Sequence, residues 1–123
     1  MDKEFLVKCG HAFVRLLDET EIRPRGALWV HNPDNDIWRL WIVGQRGLKE
    51  QEFYRIVAET ITKNRTDLAG LDISSVELVD ETHPAIKGLK GFMQMENLGS
   101  AHISNNTMNG FFMPDGIILR MAL

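Results

Sequence analysis

The residues best suited to acid–base chemistry are four consecutive polar ones, Asp80-Glu81-Thr82-His83. A carboxylate beside a histidine can accept and return a proton near neutral pH. The same residue types also cap helices, and Pro84 after them is favoured at the first helical position. No second reactive cluster completes a site, so the pattern favours a helix cap. A small-ligand binder or enzyme with a site near Asp80 and His83 is kept as an alternative.

A thiol nucleophile with a histidine base is suggested by Cys9 and His11. Both lie in a segment of helical periodicity, where side chains two residues apart point about 200° away from each other and do not meet. Cys9 falls on the apolar stripe of that segment, which predicts a buried thiol. The histidines have no further histidine or cysteine at helical ligand spacing, so we predict no metal site and no cofactor. They are His11, His31, His83 and His102.

An anion site is the weaker possibility raised by Gly44-Gln45-Arg46-Gly47-Leu48-Lys49, which lies between a predicted strand and a predicted helix. Free N–H groups at a helix N-terminus bind anions, and two cations would assist. No Ser or Thr follows the second glycine, so this is not a phosphate-binding P-loop. A tight strand-to-helix turn is favoured, because glycine is common where the backbone turns sharply. The anion-binding candidates are Gly44, Arg46, Gly47 and Lys49.

Residues 26–43 contain all three tryptophans of the chain and read as two strands joined by a polar turn. Proline, asparagine and aspartate in that turn fix the backbone and bond to it locally. The even positions supply one apolar face, so aromatic residues on the other face need a separate explanation. Trp and Arg dominate binding hot spots, whereas aromatic residues elsewhere are mostly core. The predicted partner-binding face comprises Trp29, His31, Arg39 and Trp41. The structural alternative, which the general use of aromatic residues favours, is that the first or second helix covers this face while a dimer partner or a second layer covers the other.

A five-residue loop at 32–36 gives this hairpin its predicted register. Directly opposed residues share a face of a sheet, and an odd loop pairs even positions with even ones. The predicted pairs are Val30 with Trp38, Leu28 with Leu40, Gly26 with Ile42 and Trp29 with Arg39. A single face would then carry Trp29, Arg39 and Trp41 together.

Helical periodicity predicts helices over 3–20 and 48–64 and a short one from Pro84. A half-buried strand is predicted around Val76 and Leu78, followed by four C-terminal strands with a turn at Pro114-Asp115-Gly116. The C-terminal strands are placed at 92–96, 101–104, 107–113 and 117–121. In the last of these hairpins, Phe111, Met113, Ile117 and Leu119 would share one face. The predicted fold is α+β: a mainly antiparallel sheet with two longer helices and one short helix packed on one side.

The 123 residues predict a single α+β domain, 1–123, that buries roughly two-thirds of its unfolded surface. A net charge of −3 exerts no general pull on nucleic acid. One cysteine fits a reducing compartment, and the charged N-terminal segment resembles neither a signal peptide nor a membrane span. The predicted location is therefore cytoplasmic, without a membrane partner.

The absence of a catalytic signature, together with the tryptophan-rich hairpin, favours a small non-catalytic protein-interaction module of accessory or immunity type. Its partner would be another protein or a second copy of the chain. Single-stranded nucleic-acid binding through the Trp/Arg hairpin face is the first alternative, because bases stack on Trp and Arg. The negative net charge counts against it. The ligand or enzyme site near Asp80 and His83 is the second alternative.

Overall fold

Three helices and five strands make up the described part of the chain in a computed structural model, which covers residues 2–123 except for the side chains of Phe92, Asn106, Met108 and Pro114. The helices are α1 (Lys3–Asp18), α2 (Glu50–Lys63) and α3 (Pro84–Phe92). The strands are β1 (Gly26–Asn32), β2 (Ile37–Val43), β3 (Val76–Leu78), β4 (Ala101–Met108) and β5 (Phe111–Met121). The predicted α+β class is confirmed.

The strands form one sheet in the order β3-β2-β1-β5-β4. The pairs β1–β2, β1–β5 and β4–β5 are antiparallel, and only the short β3 runs parallel to its neighbour β2. The mainly antiparallel sheet is thus confirmed. The strand β1 is central, and its residues 26–29 are buried.

Local sequence signals account for the ends of two helices. The Asp2 carboxylate accepts a hydrogen bond from the Glu4 N–H at 3.1 Å at the start of α1. At the start of α3, His83 Nδ1 accepts one from the Ala85 N–H at 3.1 Å, and Pro84 occupies the first helical turn. These bonds satisfy N–H groups that have no partner within the helix. A cap before Pro84 is present as predicted, but the imidazole of His83 supplies it rather than a carboxylate or a hydroxyl group.

The helices divide between the two faces of the sheet, contrary to the predicted packing on one side. The apolar stripes of α1 and α2 pack with Ala27, Trp29, Leu40 and Ile42. Ala85, Ile86 and Leu89 of α3 instead belong to a cluster with Leu28, Trp41 and Val43. Successive strand residues point to opposite faces, so α3 lies on the face away from α1 and α2. Both faces of the central strands are covered within the chain.

The predicted hairpin register is wrong by one residue. Leu28 pairs with Trp41, Trp29 with Leu40 and His31 with Trp38, so the loop comprises four residues, 33–36. Asp36 takes a positive φ of 54° in that loop. The shift places every side chain of one strand on the other face relative to its partner. Trp29 and Trp41 therefore lie on opposite faces of the sheet.

The C-terminal turn predicted at Pro114-Asp115-Gly116 is also wrong, because these residues lie within β5. The chain turns instead at Asn109-Gly110, whose φ angles of 50° and 86° match a two-residue hairpin turn. A Cβ atom at Gly116 would approach the Trp29 carbonyl oxygen to 3.2 Å, so close strand packing explains this glycine.

Two further C-terminal predictions change with that turn. The strand expected at 92–96 is reduced to a single bridge between Met95 and Met121. The four residues expected on one face divide between the two: Ile117 and Leu119 pack with the α1 side, Phe111 and Met113 with the α3 side.

Close packing of α1 on the sheet depends on Gly10. A Cβ atom there would meet Leu119 Cδ1 at 2.4 Å and Trp29 Nε1 at 2.9 Å. None of the helices within residues 2–123 is both long enough and apolar enough to cross a membrane.

Candidate binding cleft

A cleft opens where the β1–β2 hairpin and the β4–β5 hairpin part from each other. Pairing between β1 and β5 ends at Val30 and Gly116. The β1–β2 ladder nevertheless continues to Asn32 and Ile37, and the β4–β5 ladder continues to Phe111. The resulting space has a volume of about 520 Å³, within the range typical of ligand-binding pockets. We call it the hairpin cleft; its principal lining residues are His31, Arg39, Trp41, Glu77, Phe111 and Phe112.

Aromatic side chains form the apolar part of the hairpin cleft. The rings of Trp41, His83 and Phe111 contact one another. The Trp41 centroid lies 4.8 Å from that of His83 and 5.6 Å from that of Phe111, and the His83 and Phe111 centroids are 4.9 Å apart. Phe112 contributes a further ring and is 55% exposed. A large aromatic side chain left in water beside a cleft offers apolar area that a ligand can cover.

Charged groups border the aromatic wall. Glu77 is the Cα partner of Trp41 in the parallel β2–β3 pair, so both residues share one face. The exposed Arg39 donates from Nη1 to the Ser74 carbonyl oxygen at 2.8 Å. Asp34 in the hairpin loop also lines the cleft. The cleft thus combines apolar area with both signs of charge.

His31 is held by its own hairpin. Its Nε2 lies 2.7 Å from Asp36 Oδ1, and its ring centroid lies 4.8 Å from that of Trp38. The hydrogen bond to His31 lowers the pKa of Asp36. This pair links the end of β1 to the loop.

Trp29, the fourth residue of the predicted partner-binding face, lies apart from the other three. It is 3% exposed, and its Nε1–H donates to the Leu6 carbonyl oxygen of α1 at 2.8 Å. The structure therefore brings Arg39 and Trp41 to one face at the cleft. His31 also lines the cleft, but its ring packs on Trp38, on the opposite face of the sheet. Trp29 lies on that face too, in the core under α1.

The predicted anion-binding loop connects β2 to α2. Gly47 has a positive φ of 83°, which glycine adopts without strain, and the Gly44 carbonyl oxygen accepts a hydrogen bond from Arg25 Nε at 3.0 Å. Lys49 is exposed at the N-terminus of α2. Arg46 is held at 2.8 Å from Glu81. The loop thus holds the guanidinium of Arg46 against the carboxylate of Glu81 in the same chain.

Glu81 is the centre of this local network. Its carboxylate lies 2.8 Å from Arg46 Nε and 3.3 Å from Arg25 Nη2, and these hydrogen bonds lower the pKa of Glu81 to about 2. The neighbouring Asp80 accepts the Thr82 N–H at 2.8 Å, which lowers the pKa of Asp80. His83 caps α3. The residues proposed for acid–base chemistry are therefore engaged in structural contacts.

Replacing Glu81 with glutamine is expected to flatten the acid sensitivity of the fold. Folding lowers the pKa of Glu81 from 4.5 to about 2, so the unfolded chain binds more protons between these values. The stabilising contribution is complete above pH 4.5 and is lost as the pH falls towards 2. Urea unfolding between pH 6 and 2 should show a smaller decrease of the midpoint in Glu81→Gln than in the wild type.

Glu77→Gln is the matched control, because it removes a carboxylate that has no ion-pair partner among residues 2–123. Its unfolding midpoint should follow the wild-type pH dependence. Equal slopes for Glu81→Gln and the wild type would show that the Glu81 network does not stabilise the folded chain.

The thiol of Cys9 is buried, and burial raises its pKa. A raised pKa suppresses the thiolate, the nucleophilic form. Within residues 2–123, no group of three or more His, Cys, Asp or Glu side chains is placed to hold a metal ion.

Sequence reasoning did not assign Asp34, Glu77, Phe111 or Phe112 to a binding site, although all four line the hairpin cleft. The Asn109-Gly110 dipeptide was a usable signal, because it predicts a hairpin that places Phe111 first in the returning strand. The position of Glu77 beside Trp41 depends on a parallel pairing that no local pattern specifies. Comparison with family models, curated proteins and solved structures found no match to this chain.

Proposed function

We propose that this chain is a non-catalytic protein-interaction module that binds a segment of its partner in the hairpin cleft. The observation that carries the proposal is a cleft of about 520 Å³ that is lined by the Trp41–Phe111 pair and by Phe112, which is 55% exposed. A partner that docks in the cleft would cover this apolar area and remove it from water. Three of the four residues predicted to bind a partner line the same cleft.

The charges of the cleft favour a protein partner over a nucleic acid. Arg39 is the sole Lys or Arg side chain among the cleft residues described, and Asp34 and Glu77 contribute two carboxylates to the same cleft. Binding to a phosphate backbone depends on several cations acting together. The alternative of single-stranded nucleic acid therefore has less support.

Replacing Phe112 with serine is expected to reduce partner capture at least about tenfold, since it removes apolar area from the cleft without opening the core. Immobilised wild type and Phe112→Ser would be compared for the proteins they retain from lysate of the source cells. Quantitative mass spectrometry identifies proteins retained by the wild type and lost by the variant.

Ile73→Ser is the matched control, because Ile73 is another exposed apolar residue, at 39%, outside the hairpin cleft. It should retain the same proteins as the wild type. If the wild type, Phe112→Ser and Ile73→Ser all retain the same proteins, the proposal is wrong. Capture of a fluorescent oligothymidylate at low salt, lost in Phe112→Ser, would instead favour the nucleic-acid alternative.

A further inference from the structure

We infer that the partner segment in the hairpin cleft presents a basic side chain, lysine or arginine, that pairs with Glu77 alongside the ring of Trp41; this inference rests on the proposed function. Glu77 is half-buried and lines the cleft. Within residues 2–123, its carboxylate has neither a hydrogen-bond donor nor an ion-pair partner. It is the half-buried one of the two carboxylates that line the cleft, and the other, that of Asp34, is exposed.

Docking of any partner removes water from Glu77. An ionised carboxylate that loses water without gaining a partner destabilises the complex, whereas a basic side chain compensates for the lost hydration. An acidic segment would add repulsion to this loss. The Glu77 carboxylate therefore favours a partner segment with a positively charged side chain at this point.

The remaining charges of the cleft agree with this selection. Asp34 contributes a second carboxylate. The one guanidinium, that of Arg39, is bonded to the Ser74 carbonyl oxygen. Two carboxylates against one guanidinium leave the cleft net negative, and a basic segment is its electrostatic complement.

Phe111, which is half-buried, supplies apolar surface for the rest of such a side chain, next to Trp41, which is 6% exposed. Lysine and arginine pack their apolar stems on apolar surfaces while the charged end stays polar. A cation near an aromatic ring is further attracted by the electrons of the ring face. Because Glu77 and Trp41 are direct Cα partners, one side chain can meet both groups.

The backbone around the cleft suits an extended segment. Residues 31–32 of β1 and residues 111–115 of β5 lie beyond the β1–β5 ladder, so they have no strand partner on the cleft side within the described chain. An extended peptide binds such strand edges through its backbone, and its alternate side chains occupy pockets. The partner segment is thus extended, with alternating basic and apolar residues.

Two blocked hexapeptides test the inference, one alternating valine with lysine and the other alternating valine with glutamate. Amide chemical shifts of ¹⁵N-labelled wild type would be followed in titrations at 50 mM salt. The lysine peptide is expected to shift cleft residues and to bind at least about tenfold tighter than the glutamate peptide. Equal affinities, or preference for the glutamate peptide, overturn the inference.

Three variants separate this inference from the proposed function. Glu77→Gln should abolish the lysine preference, whereas Arg39→Gln, which removes the competing cation, should increase it. Phe112→Ser should weaken both peptides. Wild-type binding without a charge preference, still lost in Phe112→Ser, overturns the inference and leaves the proposed function standing. Absence of binding at the cleft by either peptide overturns both.

Discussion

Replacing Trp29 with alanine is expected to lower the free energy of unfolding by about 3–5 kcal/mol, as truncation of a buried aromatic residue does. The side chain is 3% exposed, and its Nε1–H donates to the Leu6 carbonyl oxygen at 2.8 Å. The ring lies under α1, where Gly10 permits the close approach of the helix. Alanine would leave a cavity between α1 and the central strand. Urea unfolding followed by circular dichroism measures the loss.

Two variants control this measurement. Trp29→Phe keeps most of the buried ring and removes the hydrogen bond, so it should cost about 1–2 kcal/mol. Ile37→Ala alters a residue of the same hairpin that is 42% exposed, and it should change stability by about 0.5 kcal/mol or less. Stability of Trp29→Ala equal to that of Ile37→Ala contradicts the burial of Trp29. At temperatures where it is folded, Trp29→Phe should bind partners as the wild type does.

Replacing Arg120 with methionine is expected to cost about 2–3 kcal/mol, because it removes a charge-assisted network and keeps an apolar stem of similar length. Arg120 is 15% exposed. Its Nη1 and Nη2 donate to the Asp18 carboxylate at 2.7 and 3.0 Å. Nη1 also donates to the Pro24 carbonyl oxygen at 3.0 Å, and Nε to that of Glu96 at 3.2 Å. This guanidinium therefore joins the end of α1, the loop after it and the segment before β4.

Two controls again make the result interpretable, with urea unfolding as the measurement. Arg120→Lys keeps the charge but cannot form the paired hydrogen bonds, so its stability should lie between that of the wild type and that of Arg120→Met. Arg55→Met removes an exposed arginine that pairs with Glu52 and Glu59 on α2, and its midpoint should shift far less. Equal shifts for the two methionine variants would mean that the Arg120 network stabilises no more than a surface pair.

Periodicity predicted the helices well because each helix carries a clear apolar stripe. Leu6, Phe13 and Leu17 of α1 are fully buried, as are Phe53 and Val57 of α2. The cap before α3 was predictable for the same reason: its donors and acceptors lie within a few residues of each other. These features need no information from elsewhere in the chain.

The hairpin register was not predictable from its apolar pattern. Register is specified strongly when one face is apolar and the other polar. Here Leu28 and Trp29 are both buried although they point to opposite faces. The apolar pattern therefore did not distinguish the two faces. Because the loop is one residue shorter than predicted, Trp29 and Trp41 lie on opposite faces and not on the same face.

The C-terminal hairpin shows a second kind of limit. Asn109-Gly110 and Pro114-Asp115-Gly116 are both strong turn signals, and the local sequence does not rank them. The second signal forms no turn, because Gly116 pairs with Val30 of β1 and with Ile103 of β4 inside the sheet. A distant strand thus decided the role of a local motif.

For the hairpin cleft, the sequence identified some of the residue types, and the fold decided which of them meet. Tryptophan and arginine in 26–43 indicated a binding surface, and His31, Arg39 and Trp41 do line one cleft. The sequence did not bring Phe112 or Glu77 to them. That placement depends on β5 pairing with β1 and on β3 pairing with β2.

The sequence by itself determined the helices, the cap at His83, the position of the tryptophan hairpin and the α+β class. All of these depend on contacts between near neighbours. Only the tertiary structure decided that α3 covers the face opposite α1, that Arg120 meets Asp18 across 102 residues, and that Trp41 lies beside Phe111. Side-chain periodicity specifies which face of an element is apolar. Which faces meet is fixed by strand order and register, and these are set by contacts between distant parts of the chain.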